Sequence, residues 1–187
     1  MFELIGRKLG LKVRVIITDG SEPIGRGIGP LLEAEDTMKV LRNDTDAPQD
    51  LKVKSLVMAG TMLEMTGKIK NGFSTAKEIL ESGKALRKMN EIITAQGKVV
   101  KPYLGKYNYN ITSSVSGKVK EIDNKIMAKI AHTAGNPDDK GAGMYLHKKM
   151  GDIIKKGEKL YTIYAYSKAK LDLAVECAKE NKGYVVK

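Results

Sequence analysis

The residues best suited to chemistry lie in one glycine-rich stretch, Asp19–Asp36, with the sequence DGSEPIGRGIGPLLEAED. Its glycines Gly25, Gly27 and Gly29 alternate with larger residues and are followed directly by Pro30. Glycine permits backbone shapes and close approaches that a β-carbon forbids, and proline is favoured at the first position of a helix, so the pattern predicts a tight loop that opens a helix. The backbone N–H groups of such a loop can bind an anion, and the alternative is a tight connection that binds no ligand.

Few other residue types offer reactive groups. The single cysteine, Cys177, excludes an intramolecular disulfide, and with only His132 and His147 to assist it cannot anchor a zinc site. Cys177 shares an apolar helical stripe with leucine and alanine residues, which favours a place in the core over a nucleophilic role. His147 lies in a predicted strand beside two lysines, so we expect a surface or interface residue there and not a catalyst.

The net charge of +11 is spread unevenly along the chain. Residues 101–187 carry 17 lysines and no arginine against 9 acids, a net charge of +8, whereas residues 1–100 carry 16 basic and 13 acidic residues. A basic domain can hold phosphates or nucleic acid, but readers of nucleic-acid sequence depend on arginine for bidentate contacts. Dispersed lysines are typical of a solvated surface, so we expect no nucleic-acid partner, with a stand-alone basic binding or carrier module as the rival interpretation.

Length and hydropathy indicate a globular protein. A chain of 187 residues, 42% of them apolar, can bury a core in one large or two small domains. No apolar run approaches the roughly 20 residues that span a bilayer, and the N-terminal sequence MFELIGRKLGLK lacks the continuous apolar core of a signal peptide. We therefore expect a cytoplasmic protein that has no membrane partner.

One strand is predicted ahead of the glycine loop, at Leu11–Thr18. The run Val15–Ile17 is apolar without alternation, which suits a strand covered on both faces, as in a parallel sheet. No second strand of this type occurs before residue 99. The sheet neighbours of Leu11–Thr18 are therefore either supplied by the C-terminal half or missing from this chain.

Helices dominate the rest of the first hundred residues. Apolar residues at helical spacing follow Pro30 until Asn43, a second helix comes next, and a third is interrupted at Gly83 before it continues. We expect the methionines of these helices, among them Met58 and Met62, to lie in the core.

The composition changes near residue 101. All eight tyrosines lie beyond it and strand signals replace helical ones, which places a domain boundary at about residues 98–102. The predicted domains are therefore 1–98 and 102–187. In the second domain we expect strands at 107–112, 115–122, 144–150, 159–166 and 183–186, and helices at 126–134 and from a cap at Ser167 to about Glu180.

The order of these segments is similar to that of a known family. The block DGSEPIGRGIGP, from Asp19, and the block DKGAG…LHKKMGD…KKGE, from Asp139, together resemble the C-terminal part of the thymidine/pyrimidine nucleoside phosphorylases. Where bacterial members have a glycine-glycine-arginine turn, this chain has Ala134–Pro137 (AGNP), which favours the archaeal AMP phosphorylase branch. The resemblance implies an α+β fold that is the C-terminal part of an α/β enzyme: a helical segment around one strand, then a small α+β domain like a barrel sandwich.

The second half also resembles the barrel-sandwich domains that carry biotin or lipoate on a lysine. The Met-Lys-Met and Asp-Lys-Ala motifs that bear the cofactor in those domains do not occur in this sequence. We therefore interpret the likeness as one of architecture, without a swinging arm.

Members of the phosphorylase family are cytoplasmic transferases that split an N-glycosidic bond with inorganic phosphate. Resemblance to the AMP branch implies a pentosyltransferase that converts AMP and phosphate to adenine and ribose 1,5-bisphosphate and is a homo-oligomer when intact. A thymidine or pyrimidine nucleoside phosphorylase is the alternative. The family's phosphate-binding signature and base-holding helix lie upstream of the residues matched here, so we expect no catalytic residue in this chain and no activity from it alone.

The resemblance also implies two sets of site residues. In bacterial pyrimidine phosphorylases the matching loop contributes two carbonyls and a carboxylate to a potassium site, and the corresponding positions here are Ile24, Gly27 and Asp36, with aspartate in place of the usual glutamate. Oxygen ligands suit such a cation, although an ordinary helix start with a surface acid is the alternative. The residues Gly25, Arg26 and Gly27 are the candidates to face substrate phosphates in the intact enzyme. Inorganic phosphate as co-substrate and possible potassium are the only non-protein components that we expect.

Overall fold

In a computed structural model of the protein, residues 1–97 and 102–187 are described, and these residues form an α+β structure, as predicted. Helices account for most of the first half. Within the described ranges the helices are α1 Phe2–Lys8, α2 Pro30–Arg42, α3 Gln49–Met65, α4 Gly72–Glu81, α5 Lys84–Ala95, α6 Asn124–Thr133 and α7 Lys168–Glu180.

Two small antiparallel sheets lie mainly in the second half. One has the strand order β1-β4-β6-β2 and the other the order β5-β3-β7. Both sheets are open, so the described residues do not form a closed barrel. The strands are β1 Gly27–Ile28, β2 Tyr107–Thr112, β3 Gly117–Ile122, β4 Gly143–Leu146, β5 Ile153–Ile154, β6 Lys159–Ala165 and β7 Tyr184–Val186.

The second half encloses a well-buried core between its sheets and the helices α6 and α7. Local sequence fixes both helices: Asp123 accepts hydrogen bonds from the N–H groups of the first turn of α6, and Ser167 does the same for α7. The cap at Ser167 was among the predictions and is confirmed. The core side chains with at most 1% exposure include Val119, Ile122, Met127, Ile130, Met144, Leu146, Leu160, Tyr161 and Ile163.

The helices of the first half share a much smaller core. Pro30 occupies the first turn of α2 and Asn43 ends it in the left-handed conformation, as the sequence predicts. The helices α3 and α4 approach closely at Gly60 and Gly72, where a β-carbon on Gly72 would lie 1.9 Å from the Gly60 carbonyl oxygen. The buried apolar residues of this core are Val40, Ala47, Leu56, Ala76 and Leu80.

Two predictions for the first half are wrong. Leu11–Thr18 forms no strand, because no described strand pairs with it, and the side chain of Ile17 is 94% exposed. Met58 and Met62 are exposed and not in the core, since nothing described covers that face of α3. The predicted domain boundary at about residues 98–102 falls on residues 98–101, which lie outside the described residues.

No helix within residues 1–97 and 102–187 combines the length and the apolar character needed to cross a membrane.

Candidate functional site at the glycine loop

The glycine loop belongs structurally to the sheet of the second half. Its residues Gly27 and Ile28 form β1, which pairs antiparallel with β4 so that Gly27 lies opposite Tyr145 and Ile28 opposite Met144. Sequence periodicity does not reveal this strand, because two residues are too few to show alternation. Pairing across more than a hundred residues of sequence joins the loop to the far half of the chain.

Close approach at this junction requires glycine. Gly29 has φ 123°, and a β-carbon on it would lie 2.4 Å from the Ala142 carbonyl oxygen. On the opposite strand, a β-carbon on Gly143 would lie 1.9 Å from the Ile28 carbonyl oxygen. Glycines on both sides let the two backbones meet where any side chain would separate them.

Asp36 holds the loop from the helix that follows it. Its Oδ2 accepts hydrogen bonds from the backbone N–H groups of Arg26 and Gly27, each at 2.7 Å, and the residue is only 4% exposed. Such charge-assisted bonds are shorter and stronger than neutral ones. The carboxylate therefore fixes the backbone of the loop.

Two further carboxylates complete the same arrangement. The N–H of Gly25 donates to Asp50 Oδ2 at 3.0 Å, and the N–H of Gly29 donates to Glu33 Oε1 at 2.9 Å. Together with Asp36, these acids satisfy the N–H groups of Gly25, Arg26, Gly27 and Gly29. The anions bound by these four N–H groups are carboxylates of the chain itself. The sequence left open whether these backbone N–H groups bind an external anion or form a tight connection that binds no ligand, and the geometry favours the tight connection.

Arg26 connects the loop to the strand beside it. Its Nη1 donates to the carbonyl oxygens of Leu146 at 3.2 Å and His147 at 3.1 Å, and its side chain is half-buried. A guanidinium has five N–H donors. Within the part of the chain that the structure describes, the other donors of Arg26 have no hydrogen-bond partner.

Lys149 is a second connection between the halves, and sequence reasoning missed it. Its ammonium donates to the carbonyl oxygen of Pro23, to that of Gly25 at 3.0 Å and to Asp50 Oδ2 at 3.0 Å. Glu22 lies 3.6 Å away, and the lysine side chain is only 14% exposed. No signal in the sequence distinguishes this lysine from the 16 others beyond residue 100, because its partners are more than 90 residues distant.

The ion pair changes the titration of Asp50. Partial burial alone would raise the pKa of this carboxyl, but the hydrogen bonds from Lys149 and from the backbone N–H groups of Leu51 and Gly25 outweigh burial and lower it. Asp50 is therefore ionised at neutral pH and serves both the lysine and the loop.

His147 follows β4 directly, beyond the end of the strand that the sequence predicted as 144–150, and starts a short polar network with β6 and β2. Its Nε2 lies 2.8 Å from Thr162 Oγ1, and that hydroxyl donates to Asn110 Oδ1 at 2.7 Å. Because the hydroxyl has a single proton, His147 donates from Nε2 in this arrangement. Burial, with smaller contributions from the positive charges of Lys159 and Arg26, lowers the pKa of His147, which favours the neutral ring.

The three residues predicted to bind potassium line the same cavity. Ile24, Gly27 and Asp36 all line a cavity of about 360 Å³, whose other walls come from α2, α3 and α6. Two carbonyls and a carboxylate are the oxygen chemistry that such a cation takes. The donor set therefore fits, although Asp36 Oδ2 already accepts two N–H groups. The described residues contain no cluster of three or more histidine, cysteine or acidic side chains that could hold a metal.

The sequence of this chain matches known phosphorylases. Residues 118–185 match the family model for the pyrimidine nucleoside phosphorylase C-terminal domain. AMP phosphorylase 1 of Archaeoglobus fulgidus is 47% identical over 187 residues, which cover 97% of this chain and 37% of that protein. The chain belongs to this phosphorylase family and matches the C-terminal part of its members.

The similar proteins are named for two different activities. A putative thymidine phosphorylase of Bradyrhizobium diazoefficiens is 46% identical, and one of Rhodopseudomonas palustris strain BisA53 is 47% identical, each over 189 residues that cover all of this chain and 37% of the relative. The chain thus spans about 37% of the length of the curated relatives that it matches. Identity alone does not separate the AMP and thymidine names.

Proposed function

We propose that this chain is the C-terminal part of an AMP phosphorylase, which converts AMP and phosphate to adenine and ribose 1,5-bisphosphate in the intact enzyme. The observation that carries this proposal is the match to AMP phosphorylase 1 over almost the whole chain. The turn Ala134–Pro137, which resembles the archaeal branch, favours AMP over thymidine. Thymidine phosphorolysis is the second candidate, because similarly close relatives carry that name.

The glycine loop acts as one rigid wall of the substrate cleft in this proposal. Three internal carboxylates and Lys149 fix its backbone, so the loop needs no reordering when substrate binds. Arg26 would use its remaining guanidinium donors to bind a substrate phosphate, while Nη1 stays on the strand carbonyls. Gly25 and Gly27, whose N–H groups already bind Asp50 and Asp36, would lie beside the phosphate and hold Arg26 in position.

In this proposal the catalytic residues belong to the upstream part of the intact enzyme, outside the region that aligns with this chain. Phosphorolysis needs groups that bind two phosphates and protonate the leaving base, and the family's motifs for these tasks lie upstream. The chain alone is therefore inactive in this proposal, and the intact enzyme is a homo-oligomer.

Activity measurements test this division of labour. We expect no adenine from AMP and phosphate with the purified chain, and adenine release by a full-length chimera in which this chain replaces the corresponding 37% of AMP phosphorylase 1. Adenine release by the chain alone, or a chimera that cleaves thymidine and not AMP, would contradict the proposal.

A variant of the chimera tests Arg26. Arg26→Lys keeps the charge but loses the planar donor geometry, so we expect kcat/KM for phosphate-bearing substrate to fall about tenfold or more. The control is Arg42→Lys, because Arg42 pairs with Asp44 at the exposed end of α2. Equal activities of the two variants would place Arg26 outside the substrate site.

Potassium is proposed at Ile24, Gly27 and Asp36, with its remaining ligands from the upstream part. At equal ionic strength, potassium chloride should then raise the melting temperature of the chimera above its value in choline chloride, because the ion binds the folded state. Asp36→Asn should reduce this difference. Identical melting temperatures in the two salts would exclude an ion at this cavity.

A further inference from the structure

The ammonium of Lys149 lies among four oxygen-bearing groups of the first half. It donates hydrogen bonds to the carbonyl oxygens of Pro23 and Gly25 and to Asp50 Oδ2, the last two at 3.0 Å. The carboxylate of Glu22 lies 3.6 Å away. We call these four groups the oxygen cage. A lysine ammonium has three N–H donors, so each donor has an acceptor and the fourth group adds a second negative charge.

The oxygen cage is held in shape by contacts that do not involve Lys149. Asp50 Oδ2 accepts from the N–H of Gly25 at 3.0 Å, and Asp50 Oδ1 accepts from the N–H of Leu51 at 2.8 Å. Glu22 Oε2 accepts from the N–H of Met150 at 2.9 Å. Each carboxylate thus has a backbone donor of its own. Shortening the lysine side chain would therefore leave the cage oxygens in place.

The charge of the oxygen cage requires a cation. Within residues 1–97 and 102–187, Lys149 is the only basic residue that forms an ion pair with either of its two carboxylates. The exposed fraction of the side chain is 14% for Lys149, 23% for Glu22 and 38% for Asp50, so solvent can replace the lysine charge only in part. Removing one partner of a shielded ion pair is unfavourable because the remaining charges are left uncompensated.

The spacing of the oxygen cage suits a monovalent cation. Backbone carbonyl oxygens can replace the hydration shell of such an ion, and carboxylates add charge. The distances of 3.0 Å from the Lys149 nitrogen to the oxygens of Gly25 and Asp50 are those of hydrogen bonds from an ammonium group. Magnesium and calcium take oxygen ligands at about 2.0–2.6 Å, so either ion would require the cage to contract. The cage therefore matches an ion of ammonium size and not a small divalent ion.

The oxygen cage is separate from the cavity proposed above for potassium. That cavity is lined by Ile24, Gly27 and Asp36, and of the four cage residues it includes only Pro23. In the part of the chain that the structure describes, none of the three potassium candidates accepts a hydrogen bond from Lys149. The two sites can therefore be tested independently.

We propose that the oxygen cage is a binding site for a monovalent cation of ammonium size, and that the ammonium of Lys149 is its tethered occupant. Tethering raises the effective concentration of the cation above that of a free ion, so the loop is held without help from the surrounding salt. When the lysine side chain is removed, a free ion of this size, such as ammonium, binds the same oxygens. This inference rests on the geometry of the cage and not on the reaction proposed above.

Chemical rescue of Lys149→Ala in this chain tests the oxygen cage. In choline chloride the variant should melt about 3–6 °C below the wild type, because three oxygen acceptors lose their donor. Ammonium chloride at about 0.3 M, compared at equal ionic strength, should restore half of this loss or more, since the ion binds the folded state. The difference between the two salts in the wild type is the baseline and is subtracted.

Two further variants show whether the rescue occurs in the oxygen cage. Lys149→Met removes the charge but fills the space of the lysine stem with an apolar side chain, so its melting temperature should fall without recovering in ammonium chloride. The double variant Lys149→Ala with Asp50→Asn lacks one carboxylate of the cage and should recover less than half as much as Lys149→Ala alone.

Three results would overturn the inference. These are equal recovery in the alanine and methionine variants, undiminished recovery in the double variant, and no recovery of Lys149→Ala. If Lys149→Ala is unfolded in choline chloride, circular dichroism follows its refolding as ammonium chloride replaces choline chloride. A chain that stays unfolded at every ammonium concentration would overturn the inference as well.

Discussion

The two halves of this chain differ in how completely they bury their apolar residues. Of 25 large apolar side chains that are exposed in the described residues, 18 lie in residues 1–97 and 7 in residues 102–187. The second half places many core residues at 0–1% exposure, whereas the buried residues of the smaller helical core range from 5% to 7%. The second half therefore buries its apolar residues within itself, whereas the first half leaves many of its apolar side chains exposed.

The connection between the halves is largely polar. It includes the strand pair β1–β4, the carbonyl contacts of Arg26 and the ion pair of Lys149 with Asp50. Ile28 also packs against the core of the second half, but most of the bonds across this junction are directional. Hydrogen bonds to charged groups impose geometry more strictly than apolar contact does.

The largest effect should come from truncating the closed core. Ile163→Ala should lower the free energy of unfolding by about 2–5 kcal/mol, because it deletes buried atoms and leaves a cavity. Met62→Ala on the open face of α3 should cost less than about 0.5 kcal/mol, since Met62 is already exposed. Urea unfolding of both variants checks this, and similar losses would erase the distinction between the halves.

The next effect concerns the carboxylate that fixes the loop. Asp36→Ala should lower the free energy of unfolding by about 2–4 kcal/mol, because the buried N–H groups of Arg26 and Gly27 lose their acceptor. Glu35→Ala, at the exposed neighbouring position, is the matched control and should have little effect. If thermal or urea unfolding finds the two variants equally stable, Asp36 does not hold the junction.

A smaller effect is expected from the lysine between the halves. Lys149→Met should lower the free energy of unfolding by about 1–2 kcal/mol, because three oxygen acceptors lose their donor. The loss is small because Asp50, one of the three, is partly exposed and can be hydrated by solvent. Lys155→Met, at an exposed turn, should leave stability unchanged. Chemical denaturation of both variants measures the difference, and a wild-type value for Lys149→Met would assign the junction to strand pairing alone.

The smallest effect concerns pH. Because burial and nearby positive charge lower the pKa of His147, the unfolded chain binds more protons than the folded protein once pH falls below the ordinary histidine pKa of about 6.5. Stability should therefore be complete above that pH and decrease as pH falls through it. His147→Gln should lose less stability than the wild type between pH 7.5 and 5.5, and an equal or larger loss in the variant would contradict this assignment.

Local sequence signals predicted the elements that depend on local chemistry. Pro30, Asn43 and Ser167 act within one helical turn, so their positions at the ends of α2 and α7 follow from propensity alone. The strand at Tyr107–Thr112 was predicted with its bounds, and the structure confirms it. Elements with this kind of local determination can be derived from one sequence.

What the sequence did not predict depends on distant partners. Leu11–Thr18 has a strand's composition, yet a strand exists only where another backbone pairs with it. Met58 and Met62 lie on apolar stripes, but burial requires a covering element. The same holds for the candidate site. The loop and its glycines could be predicted, but the contacts of Arg26 and Lys149 could not, because their partners lie about 100 residues away or more.

Residue-resolved amide exchange of the isolated chain tests the difference between the halves most directly. We expect amides of β4 and β6 to exchange only through global unfolding, and amides of residues 12–18 to exchange at nearly the rate of an unfolded chain. Comparable protection in both regions would contradict it, because the first half would then be as complete as the second.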